Sequence, residues 1–134
     1  MAFAFYGCNN LDVIATDAPN LTNVADLSGM FYGASAFNQP IGDWNTGSVT
    51  DMSYMFAGAS AFNQDLSRWS FGNVYGLDTF LFNAKSFSTE NYDKLLIALD
   101  KQTLRADVTF GDNSPATYCY AADARANLIS ADSW

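Results

Sequence analysis

Hydrophobic residues return at a fixed interval of 25 positions through most of this sequence. The stretches MFYGASAFNQPIGDW and MFAGASAFNQDLSRW begin at Met30 and Met55, and FLFNAKSF continues the pattern from Phe80. An earlier unit around Phe5 fits the same alignment with one extra residue in the stretch 13–20. A repeat of this length is typical of stacked units, each of which buries its hydrophobic face against its neighbours.

The aligned hydrophobic positions predict which side chains form the core. Large residues lie three apart before a corner of small residues, and another large residue follows that corner. Cys8 aligns with the small residues of the corner and is therefore predicted to be a small buried residue. The expected core consists of Phe5 and Leu11; Val24, Leu27, Met30, Phe31, Ala34 and Phe37; Val49, Met52, Met55, Phe56, Ala59 and Phe62; and Val74, Leu77, Phe80, Leu81, Ala84 and Phe87.

The same spacing predicts the secondary structure of one unit. A short helical turn such as Thr50 to Phe56 would begin at Thr50 or Ser48 as N-cap. An extended segment such as Asp65–Trp69 would follow the corner and pair in parallel with its counterparts. The repeats therefore favour an α/β solenoid with coils of about 25 residues.

One repeat position is always occupied by a short polar side chain. These residues are able to hydrogen-bond nearby backbone. The residues at this position are Asp12, Asn38, Asn63 and Ser88. We predict that they form a stacked polar ladder that closes each coil; the alternative is that they are ordinary turn residues.

The pattern changes after Phe87. Ser88, Thr89 and Glu90 are typical of a helix start, and the hydrophobic spacing from Tyr92 to Leu99 predicts an amphipathic helix of about 13 residues. A short strand over 107–111 and a second helix over 121–131 follow. We expect one domain in which repeats occupy 1–87 and a helical C-terminal cap occupies 88–134.

The opposite end of the repeats has no equivalent covering element in the sequence. Phe5 enters in the middle of a unit, which would leave a hydrophobic cross-section and unpaired edges exposed. Either the chain belongs to a longer array, or another molecule covers this end. Self-stacking into an oligomer or filament is the specific form of the second alternative.

Composition and charge exclude several functions. The chain has 134 residues, a formal net charge of -8, six Lys plus Arg, and no His. So few cations disfavour nucleic-acid binding, and no hydrophobic run is long enough for membrane insertion. The N-terminus lacks the pattern of a signal peptide. A Cys8–Cys119 disulfide is not expected, because the stack would separate the two residues too far.

The sequence contains no recognisable catalytic or cofactor motif. Without His there is no Ser-His-Asp or Cys-His arrangement, and no phosphate-binding glycine loop occurs. Asp26 and Asp51 share a repeat position, but Gly76 follows them, so a calcium ladder is not favoured over acids near a helix start. We predict no enzyme activity, no metal and no cofactor.

Two equivalent tryptophans provide the strongest binding hypothesis. In a straight strand, Trp44 and Trp69 would lie opposite the inward residues and form an exposed ladder suited to sugars or a partner protein. If the segment bends, both are core residues, which is the interpretation we favour. Positions that vary between units are further candidates for a weak binding face, with solvated side chains as the alternative: Asp43, Arg68, Tyr54 and Gln64.

These motifs resemble a known family. The MFxGASAFNQ block with its Trp, followed by VTDMSYMF, is similar to repeats of BspA-like leucine-rich-repeat surface proteins, including mycoplasma-type lipoprotein repeats. The tail TYCYAADARANLI resembles the module that often closes such arrays. The resemblance implies leucine-rich-repeat-like coils in a bacterial cell-surface or secreted protein, without catalytic residues.

The function expected from the resemblance is adhesion, or binding of a protein or glycan at a cell surface. The alternative is a structural subunit that self-assembles end-to-end through its uncapped N-terminal coil. Extracellular or cell-surface localisation depends on the resemblance alone.

Overall fold

A computed structural model describes residues 1–9, 11, 17–106, 108–110 and 120–131. Among these residues are two helices, α1 (Thr89–Asp100) and α2 (Ala122–Ala131). Ser88 is the N-cap of α1, and its side chain accepts a hydrogen bond from the Asn91 N–H. Both predicted helices are therefore confirmed.

The α/β solenoid of leucine-rich-repeat-like coils is wrong. Within the described residues the repeats contain no helix, strand or sheet, and only two isolated parallel bridges join Asp26 to Asp51 and Asp51 to Gly76. In place of the predicted helix from Thr50 to Phe56 there is a turn over 53–56, and the predicted extended segment Asp65–Trp69 forms no strand and contains a turn at Ser67 and Arg68. The expected strand is also not seen over 108–110, while 107 and 111 lie outside the described residues.

Left-handed backbone positions explain why no helix forms in the repeats. We define four turn segments, 1–8, 27–34, 52–59 and 77–84, which align position by position. Their third and seventh residues have positive φ, between 53° and 75°, which a right-handed helix cannot accommodate. These residues are Phe3, Gly29, Tyr54 and Thr79 at the third position, and Gly7, Gly33, Gly58 and Asn83 at the seventh.

Backbone hydrogen bonds join each turn segment to the next. Alternate N–H groups of one segment donate to carbonyls of the following one, for example Phe31 to Met55 at 2.9 Å and Phe56 to Phe80 at 3.0 Å. The other N–H groups close turns inside their own segment, as Met30 does with the Leu27 carbonyl at 3.1 Å. All the bonds between segments therefore run in one direction.

This direction gives the first turn segment a distinct outer edge. Ser28, Met30 and Tyr32 each accept a backbone hydrogen bond from the first segment through their carbonyls. The equivalent carbonyls of Ala2, Ala4 and Tyr6 accept no backbone hydrogen bond from any described residue. Acceptors thus line the N-terminal edge of the stack.

The repeated hydrophobic side chains form one continuous core. Rings of Phe5, Phe31 and Phe56 stack at centroid distances of 5.5 and 5.7 Å, and those of Phe37 and Phe62 stack at 6.1 Å. The predicted core positions from Leu27 to Phe87 are buried, which confirms their assignment; Val24 is partly buried.

The prediction for Cys8 is wrong, because this thiol is free and exposed. It is the last residue of the first turn segment, most of whose residues are exposed. Cys119 lies outside the described residues.

The polar ladder is confirmed for the described members. Asn38 Oδ1 accepts a hydrogen bond from the Asn63 N–H at 2.8 Å, and Asn63 Oδ1 accepts one from the Ser88 N–H at 2.9 Å. Each side chain therefore ties its own unit to the next backbone, and the last step fixes the start of α1. Asp12 lies outside the described residues.

Helix α1 packs its leucines into the core of the repeats. Leu95, Leu96 and Leu99 are buried, and the buried Asp93 carboxylate accepts hydrogen bonds from the N–H groups of Tyr120 and Ala121. This contact positions α2 against α1. In the part of the chain that the structure describes, no helix is long and hydrophobic enough to cross a bilayer.

Candidate binding surface

Aromatic side chains line the outer side of the turn segments. They occupy the third and sixth positions of the segments, and each of these residues is between 37% and 60% exposed. Tyr6 and Tyr32 stack with centroids 5.1 Å apart and planes 9° apart, and Phe3 lies 6.0 Å from Tyr6. We call these five residues the outer aromatic strip: Phe3, Tyr6, Tyr32, Tyr54 and Phe82.

Each turn segment presents at least one member of the strip, although not always at the same position. The third position holds Phe3 and Tyr54 but Gly29 in the segment between them. A Cβ at Gly29 would lie 2.3 Å from Cε1 of Phe3, so the Phe3 ring covers this glycine. The strip therefore crosses all four segments through a staggered arrangement.

The backbone beneath two members of the strip is strained. Phe3 and Tyr54 have φ values of 53° and 61°, in the left-handed region that bulky side chains rarely adopt. This conformation costs about 1–2 kcal/mol for a residue that has a Cβ. Tyr54 is 44% exposed, so burial of its ring does not readily account for that cost.

Carboxylates border the strip. Asp26 and Asp78 are exposed, and Asp51 is partly buried with its carboxylate over Gly76, where a Cβ would lie 2.4 Å from Oδ1. The Tyr54 N–H donates to the Asp78 carbonyl at 2.9 Å, which places these two residues side by side. Carboxylates therefore lie within or next to the turn segments that carry the strip.

Asp26 keeps its negative charge through local hydrogen bonds. Its Oδ1 accepts one from the Ser28 hydroxyl at 2.6 Å and one from the Ser28 N–H at 2.8 Å. These bonds, chiefly the one from the hydroxyl, lower the pKa of Asp26 below its ordinary value although partial burial opposes them. Asp26 is therefore ionised throughout the neutral range.

The two tryptophans do not form an exposed ladder. Trp69 is 1% exposed, and its indole N–H donates to the Ile41 carbonyl at 3.0 Å. Trp44 is partly buried and stacks on Trp69 with centroids 6.4 Å apart. The straight-strand alternative is wrong, and the favoured core interpretation is confirmed for Trp69, because the chain turns at Ser67 so that Leu66 and Trp69 both face the core.

The other predicted binding-face residues have different partners. Asp43 and Arg68 form an exposed ion pair, and Gln64 donates to the backbone and side chain of Asn38 at 2.8 Å. Tyr54 belongs to the outer aromatic strip. The structure thus places one predicted residue on this surface, and the binding role of all four remains a prediction.

The strip residues that sequence reasoning missed are Phe3, Tyr6, Tyr32 and Phe82. Their signal was present in the alignment, because they occupy the positions immediately next to constant core residues but vary in type between units. Nothing in the spacing alone indicated that these positions face outward.

A cavity of about 670 Å³ opens beside the first turn segment. Its walls include Phe5, Met30, Phe31 and Trp44, with the carboxylate of Asp17 among the polar contributors. Among the described residues no cluster of three or more acidic or cysteine side chains has the arrangement of a metal site.

Comparison with known proteins identifies a family for most of the chain. The family model described as "Mycoplasma protein of unknown function, DUF285" matches residues 1–103, which include the turn segments and α1 but not α2. This confirms the mycoplasma-type part of the resemblance, whereas its BspA-like part remains a proposal. Neither the curated proteins nor the solved structures gave a match.

Proposed function

Since the chain belongs to the Mycoplasma protein family DUF285, whose function is unknown, we propose from its own surface that it is a non-enzymatic module that binds another protein. The outer aromatic strip is the binding surface. Aromatic residues are enriched in protein interfaces because they bury a large area at low cost in side-chain entropy. The binding surface follows the stack instead of lying in a cleft.

The observation that carries this proposal is the contrast between strip and core. Aromatic rings that stabilise the stack, such as Phe56 and Phe62, are fully buried. Tyr32, Tyr54 and Phe82 instead remain exposed on neighbouring segments, and exposed aromatic residues of this kind are enriched at interaction sites. The acidic border makes the surface selective for the charge of its partner.

The similarity of the repeat motifs to BspA-like surface proteins supports a location outside the cell. Under this proposal the module acts in adhesion, with a protein on a host or neighbouring cell as its partner. An intracellular location of the natural protein, established by surface proteolysis and fractionation of the source cells, would contradict adhesion but leave protein binding open.

The test of binding uses arrays of synthetic peptides and of glycans, probed with the fluorescently labelled chain. We expect a subset of peptides to retain the wild-type chain. On the same peptides, the signal of the triple variant Tyr32→Ser, Tyr54→Gly, Phe82→Ser should be at least tenfold lower. The matched control Tyr120→Ala removes a tyrosine that is 90% exposed and lies after α1, and it should bind like wild type. Equal binding of the triple variant would contradict the proposal.

A second candidate function is assembly through the N-terminal edge. The carbonyls of Ala2, Ala4 and Tyr6, which accept no backbone hydrogen bond from the described part of the chain, favour docking of another polypeptide there together with the neighbouring cavity. In self-assembly, an identical chain would supply the N–H donors for these carbonyls. Light scattering over a hundredfold concentration range tests this candidate, and a constant monomer mass would contradict it.

A further inference from the structure

We propose that the middle of the outer aromatic strip, around Tyr54, binds a basic segment of the partner protein, with an arginine or lysine over the Tyr54 ring. This inference rests on the proposed function and adds the chemistry of the partner. It combines three observations: an exposed aromatic ring on strained backbone, the carboxylates beside it, and the distribution of cations in the chain.

The strain at Tyr54 is the first observation. The same position in the preceding segment holds Gly29, which adopts positive φ without the penalty of a Cβ. Tyr54 bears that penalty while 44% of it faces solvent. Because positive φ recurs at this position in all four turn segments, the repeat itself requires the conformation. What distinguishes Tyr54 is that a position where glycine costs least carries an exposed aromatic ring, which is the kind of residue enriched in protein interfaces.

Charge is the second observation, and it selects the occupant. Asp78 lies next to Tyr54 through the backbone hydrogen bond at 2.9 Å, and Asp51 lies in the same turn region with its carboxylate over Gly76. A cation placed over a tyrosine ring is attracted by the ring's electron density and here also by these carboxylates. An acidic partner segment would be repelled by the same groups.

The distribution of the protein's own cations is the third observation. All six Lys and Arg residues lie from Arg68 onward, whereas residues 1–67 contain six Asp and neither Lys nor Arg. Arg68 and Lys94 are engaged in ion pairs with Asp43 and with Asp65 and Glu90. Within the turn segments and the residues directly after them, Lys85 is the only basic side chain. The ammonium group of Met1 donates to the Asp26 carbonyl at 2.7 Å, so the sequence around Asp51 and Asp78 carries an excess of negative charge.

The experiment measures binding to three synthetic 12-residue peptides on a Gly/Ser background, carrying six Arg, six Glu or no charge. We expect the wild-type chain to bind the arginine peptide at least tenfold more tightly than the other two. Binding should weaken severalfold when sodium chloride is raised from 50 to 500 mM, because salt screens exposed charges.

Variants separate the role of the ring from a general effect of charge. Tyr54→Gly should weaken binding of the arginine peptide at least tenfold, while Tyr54→Phe, which keeps the ring, should retain most of it. Asp78→Asn should weaken it about threefold, and the controls Tyr120→Ala and Asp123→Asn should leave it unchanged. Because Gly relieves the positive φ, Tyr54→Gly should melt no lower than wild type, so that weaker binding is not a folding defect.

The outcomes distinguish this inference from the proposed function. If array peptides bind through the strip without preference for arginine, or if Tyr54→Gly binds the arginine peptide like wild type, the inference is wrong and protein binding stands. If neutral glycans retain the chain through the strip and the arginine peptide does not, the inference is wrong and the ligand of the strip is a carbohydrate. Absence of any strip-dependent binding overturns both proposals.

Discussion

The inner and outer sides of the same turn segments obey different rules. On the inner side, equivalent positions carry the same kind of residue, as Phe31 and Phe56 do, and their rings stack 5.7 Å apart. On the outer side, Gly29, Tyr54 and Thr79 share one position and even one backbone conformation, yet differ completely in side chain. Stacking therefore constrains what faces inward and leaves the outward residue free.

This difference separates the residues that stabilise the fold from those that are available for recognition. A buried ring contacts rings in the segments on both sides, so its loss affects several units at once. An outer ring such as Phe82 is 44% exposed and leaves much of its surface in contact with solvent. Substitutions on the two sides should accordingly differ in the property that they change.

The largest effect on stability is expected from removing a buried ring on the inner side. Phe56→Ala removes a fully buried ring that contacts Phe31, Phe62, Trp69 and Phe80. Large-to-small changes of this kind cost about 3–5 kcal/mol of unfolding free energy. Urea denaturation followed by circular dichroism measures it, with the outer substitution Phe82→Ala as matched control, for which we expect less than about 1 kcal/mol. Equal losses for the two variants would remove the distinction between the sides.

The tryptophan pair tests the same contrast within one stacked column. Trp69→Phe removes the hydrogen bond from the indole N–H to the Ile41 carbonyl and shrinks a buried ring. We expect a loss of about 1–3 kcal/mol. Trp44→Phe, at the equivalent but partly buried position, should cost less. A larger loss for Trp44→Phe would contradict the assignment of Trp69 to the core.

Substitutions in the polar ladder should have a smaller effect on stability. Asn63→Ala removes the acceptor for the Ser88 N–H and for Asn91, and these bonds are partly buried. The expected loss is about 1–2 kcal/mol. Asn38→Ala removes more exposed bonds, including the one from Asn63, and should cost less in the same denaturation experiment. If the two losses are equal, burial does not set the strength of the ladder.

The repeat period was sufficient to predict the inner side but not the backbone that presents it. An offset of 25 aligned the predicted core residues from Leu27 to Phe87, because stacking requires matching side chains at matching positions. The helix predicted over Thr50 to Phe56 failed because Tyr54 has a φ of 61°, a conformation that a tyrosine does not indicate in sequence. The glycines at equivalent positions, Gly29 at the third and Gly7, Gly33 and Gly58 at the seventh, were the available hints, and glycine fits many conformations.

The candidate surface was harder to predict for a related reason. Whether a residue three positions along faces inward depends on how the chain bends, and Ser67 decides this for Trp69 through a turn closed by the Asp65 carboxylate. The binding hypothesis therefore began with the tryptophans, which are core, and included Tyr54 only as a variable position. Orientation came from the turn geometry, which the alignment of residue types does not contain.

The smallest effect concerns the carboxylate at the border of the outer side. The Ser28 hydroxyl, aided by its N–H, lowers the pKa of Asp26, so this group binds its proton more weakly in the folded chain than in the unfolded one. Its contribution to stability is therefore present above the unfolded pKa of about 3.9 and is lost as the pH falls through the lower folded value. Because Asp26 is exposed, the contribution should be on the order of 0.5 kcal/mol or less.

Ser28→Ala tests this directly, since it removes the hydroxyl donor and retains the carboxylate. Carboxyl carbon NMR titration should show the pKa of Asp26 rising toward its ordinary value in the variant. The stability difference between wild type and Ser28→Ala should shrink between pH 5 and pH 2, with Ser53→Ala as the equivalent control one segment later. An unchanged Asp26 titration would mean that the Ser28 hydroxyl contributes little to the pKa of Asp26. The charge of this carboxylate would then not depend on the hydrogen bond within its own turn.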